Sequence, residues 1–178
     1  AWDNEGLQAN KVIRITYEKE KGNVFVACIG VDKYKHVRHL KYATADAQAM
    51  ADRLQQRLSV PDENVHVLLN EEATLGNIKS TLGVKIRQQA GKADTVIIYF
   101  SGHGAPEADS HSADSDGVNK YLLPIDAEKD SLYSTALPMD EVRNIFRRLV
   151  SERVIFIADT CYSGAAGGRT LMPGGTQY

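Results

Sequence analysis

Four short apolar runs recur along the chain, and segments with apolar residues at helical spacing separate them. The runs predict strands at residues 23–30, 64–70, 94–100 and 152–160. The intervening segments predict helices over residues 44–58, 75–90 and 137–150, listed here in chain order. Thr44 and Thr74 are the predicted N-caps of the first two helices.

The predicted strands are continuously apolar rather than alternating, which is typical of strands that are buried on both faces. Strands of this kind separated by amphipathic helices predict an α/β fold, doubly wound, with a mainly parallel sheet covered by helices on both faces. Ligands bind such sheets outside the carboxyl ends of the strands. We therefore expect the residues that follow the strands at 94–100 and 152–160 to share one crevice.

Length and composition favour one compact domain, because the 178 residues are 43% hydrophobic. Residues 23–164 hold the predicted strands and helices and form the predicted main domain. Residues 1–22 predict an N-terminal extension or edge strand, and residues 165–178 predict a flexible glycine-rich loop.

Charge and hydropathy exclude several classes of partner. The formal net charge is −2 and no basic stripe is present, which argues against nucleic acid as a main partner. The apolar runs are strand-sized, well short of the ~18 residues of a membrane span, so we expect a soluble protein. The two cysteines form neither a disulfide framework nor a CxxC metal pair, which favours a reducing, cytoplasmic location.

The expected crevice at the carboxyl ends of the strands contains a histidine and a cysteine. His103 lies between two glycines after the third strand, and Cys161 follows the fourth, so the pair forms a candidate base and nucleophile. Gly104 has no side chain to shield its N–H, so the N–H groups of Gly104 and Cys161 are a candidate oxyanion hole. The alternatives are a histidine that braces a turn and a cysteine that fills the core. The polar, glycine-rich setting of Cys161 favours an exposed thiol, whereas Cys28, in an apolar run, suits the core.

These residues also carry a family resemblance. The stretches VIIYFSGHG and VIFIADTCYSGAAGG resemble the caspase-type cysteine peptidases of family C14, specifically the metacaspase and bacterial orthocaspase branch. The similarity extends back to FVACIGVDKYKHVRHLKYATADAQAMADRL and covers residues 23–168. It implies a caspase-hemoglobinase-like fold for a p20-like catalytic region. It also implies a His103–Cys161 dyad that hydrolyses peptide bonds through a thioacyl-enzyme.

The same resemblance implies the substrate preference. Animal caspases carry Q-A-C-x-G at the nucleophile and an arginine shortly before the first helix. This chain has Asp159-Thr160-Cys161 at the nucleophile, and the stretch HLKYATADA stands where that arginine would be expected. In the metacaspase branch two aspartates form an acidic S1 pocket, and they match Asp46 and Asp159. Two carboxylates suit a cationic P1 residue, Arg over Lys. The alternative for Asp46 is compensation of the helix dipole, and Arg38 and Lys41 lie close by in sequence.

Many metacaspases require calcium, and three aspartates follow His103 in this sequence. Asp114, Asp116 and Asp126 match a calcium loop only weakly, and Gly168 stands where the family has a further acidic ligand. We therefore expect no cofactor and no metal, with calcium as the less favoured alternative. The HxxH formed by residues 36–39 lacks a visible third ligand and predicts a polar surface.

Three functions compete. The leading hypothesis is a cysteine endopeptidase that acts on protein or peptide substrates after basic residues. The second is a catalytically silent caspase-like interaction module, because the family fold has two further strands after the nucleophile loop. The expected partner is therefore a second, p10-like chain or a C-terminal continuation that completes the sheet. A cysteine acyl hydrolase of the α/β-hydrolase kind ranks last, because Asp159 replaces the glycine two residues before its nucleophile.

Overall fold

The computed structural model describes residues 22–109 and 117–160. Its elements, in chain order, are β1 (Val24–Gly30), α1 (Ala43–Leu58), β2 (Val65–Leu69), α2 (Leu75–Ser80), a π-helical turn (Thr81–Lys85), α3 (Ile86–Gln89), β3 (Thr95–Ser101), β4 (Gly104–Ala108), β5 (Val118–Leu122), α4 (Leu132–Thr135), β6 (Leu137–Pro138), α5 (Met139–Arg148) and β7 (Arg153–Asp159). The four predicted strands are confirmed as β1, β2, β3 and β7.

These four strands form one parallel sheet in the order β2-β1-β3-β7. The register pairs Gly30 with Ser101 and Ser101 with Asp159. Three strands thus end level with one another, at the carboxyl edge of the sheet. The described part of the sheet therefore presents the residues after β1, β3 and β7 side by side.

Helices cover both faces of the sheet, which confirms the doubly wound α/β prediction. On one face, side chains of β1 and β3 such as Phe25 and Phe100 pack with Leu82 and Val142 from the helical segment at 75–89 and from α5. On the other face, side chains of alternate positions pack against α1. The contact with α1 is close at Gly30, where a Cβ would lie 2.7 Å from the Cβ of Ala47.

The start of α1 differs from the prediction. The helix begins at Ala43, one residue before its predicted first residue, and the carboxylate that caps it comes from Asp32 in the preceding loop. Asp32 is buried and accepts hydrogen bonds from the N–H groups of Ala43 (2.8 Å) and Thr44 (3.1 Å) and from the Thr44 hydroxyl. Thr44 as N-cap was therefore wrong. The other predicted N-cap is confirmed, since Thr74 accepts from Asn77 N–H at 3.2 Å.

Other differences concern the segments around the main sheet. The predicted helix at 75–90 contains the π-helical turn, and Leu137–Pro138 belongs to β6 rather than to the following helix. An antiparallel sheet, β4-β5-β6, was not predicted. Residues 1–21 and 161–178 lie outside the described residues, so the proposed domain boundaries stay predictions. Within residues 22–109 and 117–160, no helix is long and apolar enough to cross a membrane.

Candidate active site

A cavity of about 320 Å³ opens at the carboxyl edge of the parallel sheet. It is lined by His103 after β3, by Asp159 and Thr160 at the end of β7, and by Asp46 in the first turn of α1. The structure thus brings three predicted site residues into one crevice, as the strand order requires. Cys161, the predicted nucleophile, lies outside the described residues, and Thr160 immediately precedes it.

Three hydrogen bonds fix the histidine. The His103 main-chain N–H donates to the hydroxyl of Tyr34 at 2.7 Å, and its carbonyl accepts from Leu123 N–H at 3.0 Å. The imidazole Nε2 lies 2.8 Å from the carbonyl oxygen of Arg38. A carbonyl only accepts, so Nε2 carries the proton, and Nδ1 is the free acceptor of the neutral ring. The Arg38 carbonyl therefore selects the tautomer whose basic nitrogen is Nδ1.

Tyr34 supports the turn that carries the histidine. Its side chain is 2% exposed, and its ring centroid lies 5.0 Å from that of His103. Burial raises the pKa of the Tyr34 phenol, so the hydroxyl stays protonated. A Cβ on Gly102 would lie 2.6 Å from the Tyr34 oxygen. The glycine before the histidine is therefore required by the close approach of this tyrosine, which sequence reasoning missed. The available signal was a tyrosine in the loop after β1, whose end is level with β3.

The strand after His103 places the N–H of Gly104. Because Leu123 N–H donates to the His103 carbonyl, His103 faces β5, and the next residue of an antiparallel strand faces the other way. The N–H of Gly104 therefore points away from β5. Gly104 is buried and adjoins the histidine, and its role as an oxyanion donor stays a prediction.

The two aspartates are exposed and line the same cavity. The Tyr99 hydroxyl donates to Asp159 Oδ2 at 3.3 Å. The pKa of Tyr99 is raised, first by burial and then by the charges of Asp159 and Asp46. The charges of both carboxylates thus act on the hydroxyl of one buried tyrosine. Tyr99 was not singled out by the sequence, in which it is one residue of an apolar strand.

Lys41 and Arg38, the two basic residues close to Asp46 in sequence, have different positions relative to the cavity. Lys41 lines the cavity, whereas Arg38 contributes its carbonyl to His103. Among the described residues that line the cavity, Lys41 is the one lysine or arginine beside the carboxylates of Asp46 and Asp159. Asp46 also lies in the first turn of α1, so dipole compensation and a role in the cavity are compatible for this residue.

The predicted metal-related residues have other contacts where the structure describes them. Asp126 Oδ1 accepts from Leu75 N–H at 3.3 Å, at the start of α2. His39 Nε2 donates to the Tyr34 carbonyl at 3.0 Å. Across residues 22–109 and 117–160, no group of three His, Cys, Asp or Glu side chains is placed to hold a metal ion. Asp114, Asp116 and Gly168 lie outside those ranges, so the expectation of calcium independence remains untested.

Comparison with known proteins decides the family. The sequence model of the caspase domain, peptidase family C14, matches residues 25–177. The chain belongs to this family. It is similar to metacaspase-1 of Eremothecium gossypii, with 24% identity over 88% of this chain and 35% of the relative. It is also similar to metacaspase-2 of Arabidopsis thaliana, with 30% identity over 76% of this chain and 33% of the relative. The predicted resemblance to the metacaspase branch is confirmed.

A solved structure supports the fold. The crystal structure of a protein from Geobacter sulfurreducens matches this chain with a TM-score of 0.64 and 25% identity, over 80% of this chain and 52% of that one. The chain spans about one third of the length of the curated relatives named above. Family and fold are therefore assigned to the matched region, and what a complete protein of this kind does is a separate question.

Proposed function

We propose that this chain carries the catalytic centre of a cysteine endopeptidase that cleaves peptide bonds after arginine in preference to lysine. One observation supports this above all. A histidine with a fixed tautomer and two carboxylates line one cavity, together with Thr160, the residue that precedes Cys161 in the sequence. The family match and the D-x-C-x-S-G motif support Cys161 as the nucleophile.

The proposed reaction uses His103 as base and then as acid. Nδ1 takes the proton of the Cys161 thiol, and the thiolate attacks the scissile carbonyl carbon. The resulting oxyanion accepts hydrogen bonds from the N–H groups of Gly104 and Cys161. The imidazolium gives its proton to the leaving amine, and a thioacyl-enzyme remains. Water then attacks the thioester while His103 takes its proton, and the acid product leaves as the thiol is restored.

The proposed specificity rests on Asp46 and Asp159. A guanidinium donates in a planar fork that addresses two carboxylates at once, whereas an ammonium acts as a point charge. An anionic P1 side chain is repelled by the same pair. Both carboxylates are exposed in the free cavity, so substrate binding must remove them from water before the full charge interaction develops.

Peptides that differ only at P1 test the specificity. In the complete protein, kcat/KM should rank Arg above Lys and both above Asp. The Asp159→Asn variant should lose most of the Arg preference, at ~2–5 kcal/mol if the pair is desolvated in the transition state. Asp52→Asn is the matched control, because Asp52 is an exposed carboxylate of α1 that pairs with Gln48 outside the cavity. Preferred cleavage after Asp would contradict the acidic pocket and point to Lys41 as its lining.

The edge of the sheet favours a second proposal, on assembly. Within the described residues β7 pairs only with β3, and its side chains Ile155 and Ile157 are 48% and 39% exposed. An apolar edge strand is a site for strand addition. We propose that a p10-like chain or a continuation of this chain pairs with β7 and completes the substrate cleft. The same surface also supports the alternative function, a silent caspase-like interaction module.

Intact-mass measurement separates the two functions. An active peptidase that processes itself should give fragments in the wild type and an uncut product in the Cys161→Ala variant. An uncut product from both proteins, together with no cleavage of any P1 peptide, would favour the silent module.

A further inference from the structure

Tyr42 lies at the mouth of the cavity and remains largely exposed. Its side chain is 70% exposed, yet it lines the same cavity as Asp46, His103 and Asp159. A large aromatic side chain in water retains apolar area that a bound group can cover. The neighbouring carboxylates attract a cation, and the ring can stack on a flat face. A flat cationic group is therefore the ligand that suits this part of the cavity best.

The main chain on both sides of Tyr42 is fixed. Leu40 N–H donates to the Asp32 carbonyl at 2.9 Å, and Ala43 N–H donates to the Asp32 carboxylate at 2.8 Å. Asp32 itself is 7% exposed. Since the backbone is already ordered, a ligand that contacts the ring need immobilise only the ring torsions. Preorganisation of this kind is typical of aromatic residues that contribute to binding.

The start of α1 brings the ring and one of the two carboxylates to the same cavity. The Tyr42 carbonyl accepts from Asp46 N–H at 2.8 Å, which is the first i to i+4 bond of α1. Tyr42 is the N-cap residue of α1, Asp46 lies in the first turn, and both residues line the same cavity. A cation attracts an aromatic ring when it lies within about 6 Å of the ring centroid. A cation bound by Asp46 is therefore within reach of the Tyr42 ring.

We propose that Tyr42 is a specificity-determining residue whose ring stacks on the guanidinium of a P1 arginine. The inference rests on the proposed function, because it names a second contact for the same P1 group. A guanidinium donates hydrogen bonds in its plane and stacks through its face, so it can bind the carboxylates and the ring together. An ammonium has no flat face to stack. Tyr42 thus raises the preference for Arg over Lys beyond what the two aspartates provide.

Two substitutions distinguish the contribution of the aromatic face of Tyr42 from those of its apolar area and its hydroxyl. Tyr42→Phe keeps the π face, and Tyr42→Leu keeps apolar area without it. In the complete protein we expect Tyr42→Phe to retain the wild-type ratio of kcat/KM for P1 Arg over P1 Lys. Tyr42→Leu should lower that ratio about three- to tenfold, mainly through the Arg substrate, as expected for a cation–π contact at a partly exposed site.

Tyr133→Leu is the matched control, since Tyr133 is 85% exposed and is not among the described residues that line the cavity. The rate of Cys161 alkylation by iodoacetamide should stay the same in every variant, which separates a specificity change from a damaged site. An unchanged Arg to Lys ratio in Tyr42→Leu, or equal losses for both substrates, overturns the inference and leaves the proposed function standing. Tyr42→Phe behaving as Tyr42→Leu also overturns it. A wild type that does not cleave after Arg overturns both.

Discussion

A methyl group at Gly102 is the perturbation most directly opposed by the structure around His103. Its Cβ would lie 2.6 Å from the Tyr34 hydroxyl oxygen and 3.1 Å from two ring atoms of Phe100. Both side chains are buried, with 2% and 1% exposure, so neither ring can swing into solvent. The Gly102→Ala variant must therefore move the main chain at the residue before the histidine.

The expected loss is moderate because two effects oppose each other. Overpacking a filled site costs about 1–3 kcal/mol of stability. Gly102 does not have a positive φ, so alanine is allowed there and gains about 0.4–1 kcal/mol from reduced entropy of the unfolded chain. The net expected loss is about 1–2 kcal/mol. In a chain of this size that lowers Tm by roughly 2–8 °C.

A double-mutant cycle with Tyr34→Phe identifies the clash. Alone, Tyr34→Phe removes the acceptor of the His103 N–H and should cost about 1–3 kcal/mol. With the hydroxyl gone, Gly102→Ala should cost at least ~0.5 kcal/mol less than in the wild type, because only the Phe100 contacts remain. Urea unfolding, monitored by circular dichroism, measures the free energy of unfolding of all four proteins. The rate of peptide cleavage reports whether His103 still functions in each of them. Costs that add within ~0.3 kcal/mol would refute the reasoning.

Three further outcomes are expected. Iodoacetamide should label Cys161 much faster than Cys28, because burial raises the pKa of Cys28 to about 12. The His103→Ala variant should label more slowly at Cys161 at neutral pH. Equal labelling rates for Cys161 and Cys28, measured by peptide mass mapping, would count against the dyad. Burial lowers the pKa of His66 in the folded protein. The contribution of the neutral imidazole to stability is therefore complete above the unfolded pKa of ~6.5 and is lost as pH falls below that value. The His66→Gln variant should show a flatter dependence of the unfolding free energy on pH below ~6.5. Peptidase activity should survive EGTA, and loss restored by added calcium would show that an acidic site is used.

The parallel sheet was predictable because its central strands carry apolar runs, such as the one at 96–100, that are typical of strands buried on both faces, as β1 and β3 are. The shared crevice followed from topology. Parallel strands end at one edge, so His103 and Asp159 had to approach each other, and the helix that follows β1 brings Asp46 to the same edge. A level register of strand ends was sufficient for this much of the site.

The missed features depend on contacts between segments that are distant in sequence. Thr44 had the right local chemistry for an N-cap, but the buried carboxylate of Asp32 satisfies the same N–H groups from the preceding loop. The small antiparallel sheet has short strands that contain Pro106 and Pro138, so its pattern is weak. Local propensity cannot show which loop folds over which turn, and this is why Tyr34 was overlooked.

The loop between β1 and α1 connects the two halves of the proposed site. It supplies the hydroxyl of Tyr34 and the carbonyl of Arg38 to the histidine, and it carries Tyr42 at the mouth of the cavity. Its start is held by Asn70, whose side-chain oxygen accepts from the N–H groups of Asp32 and Lys33 at 2.9 Å. A shift of this loop would move the base and the P1 contact together. Asp159, on β7, lies outside the loop, so in the proposed enzyme its substitution alters specificity while the hydrogen bonds of His103 to Tyr34 and Arg38 are retained.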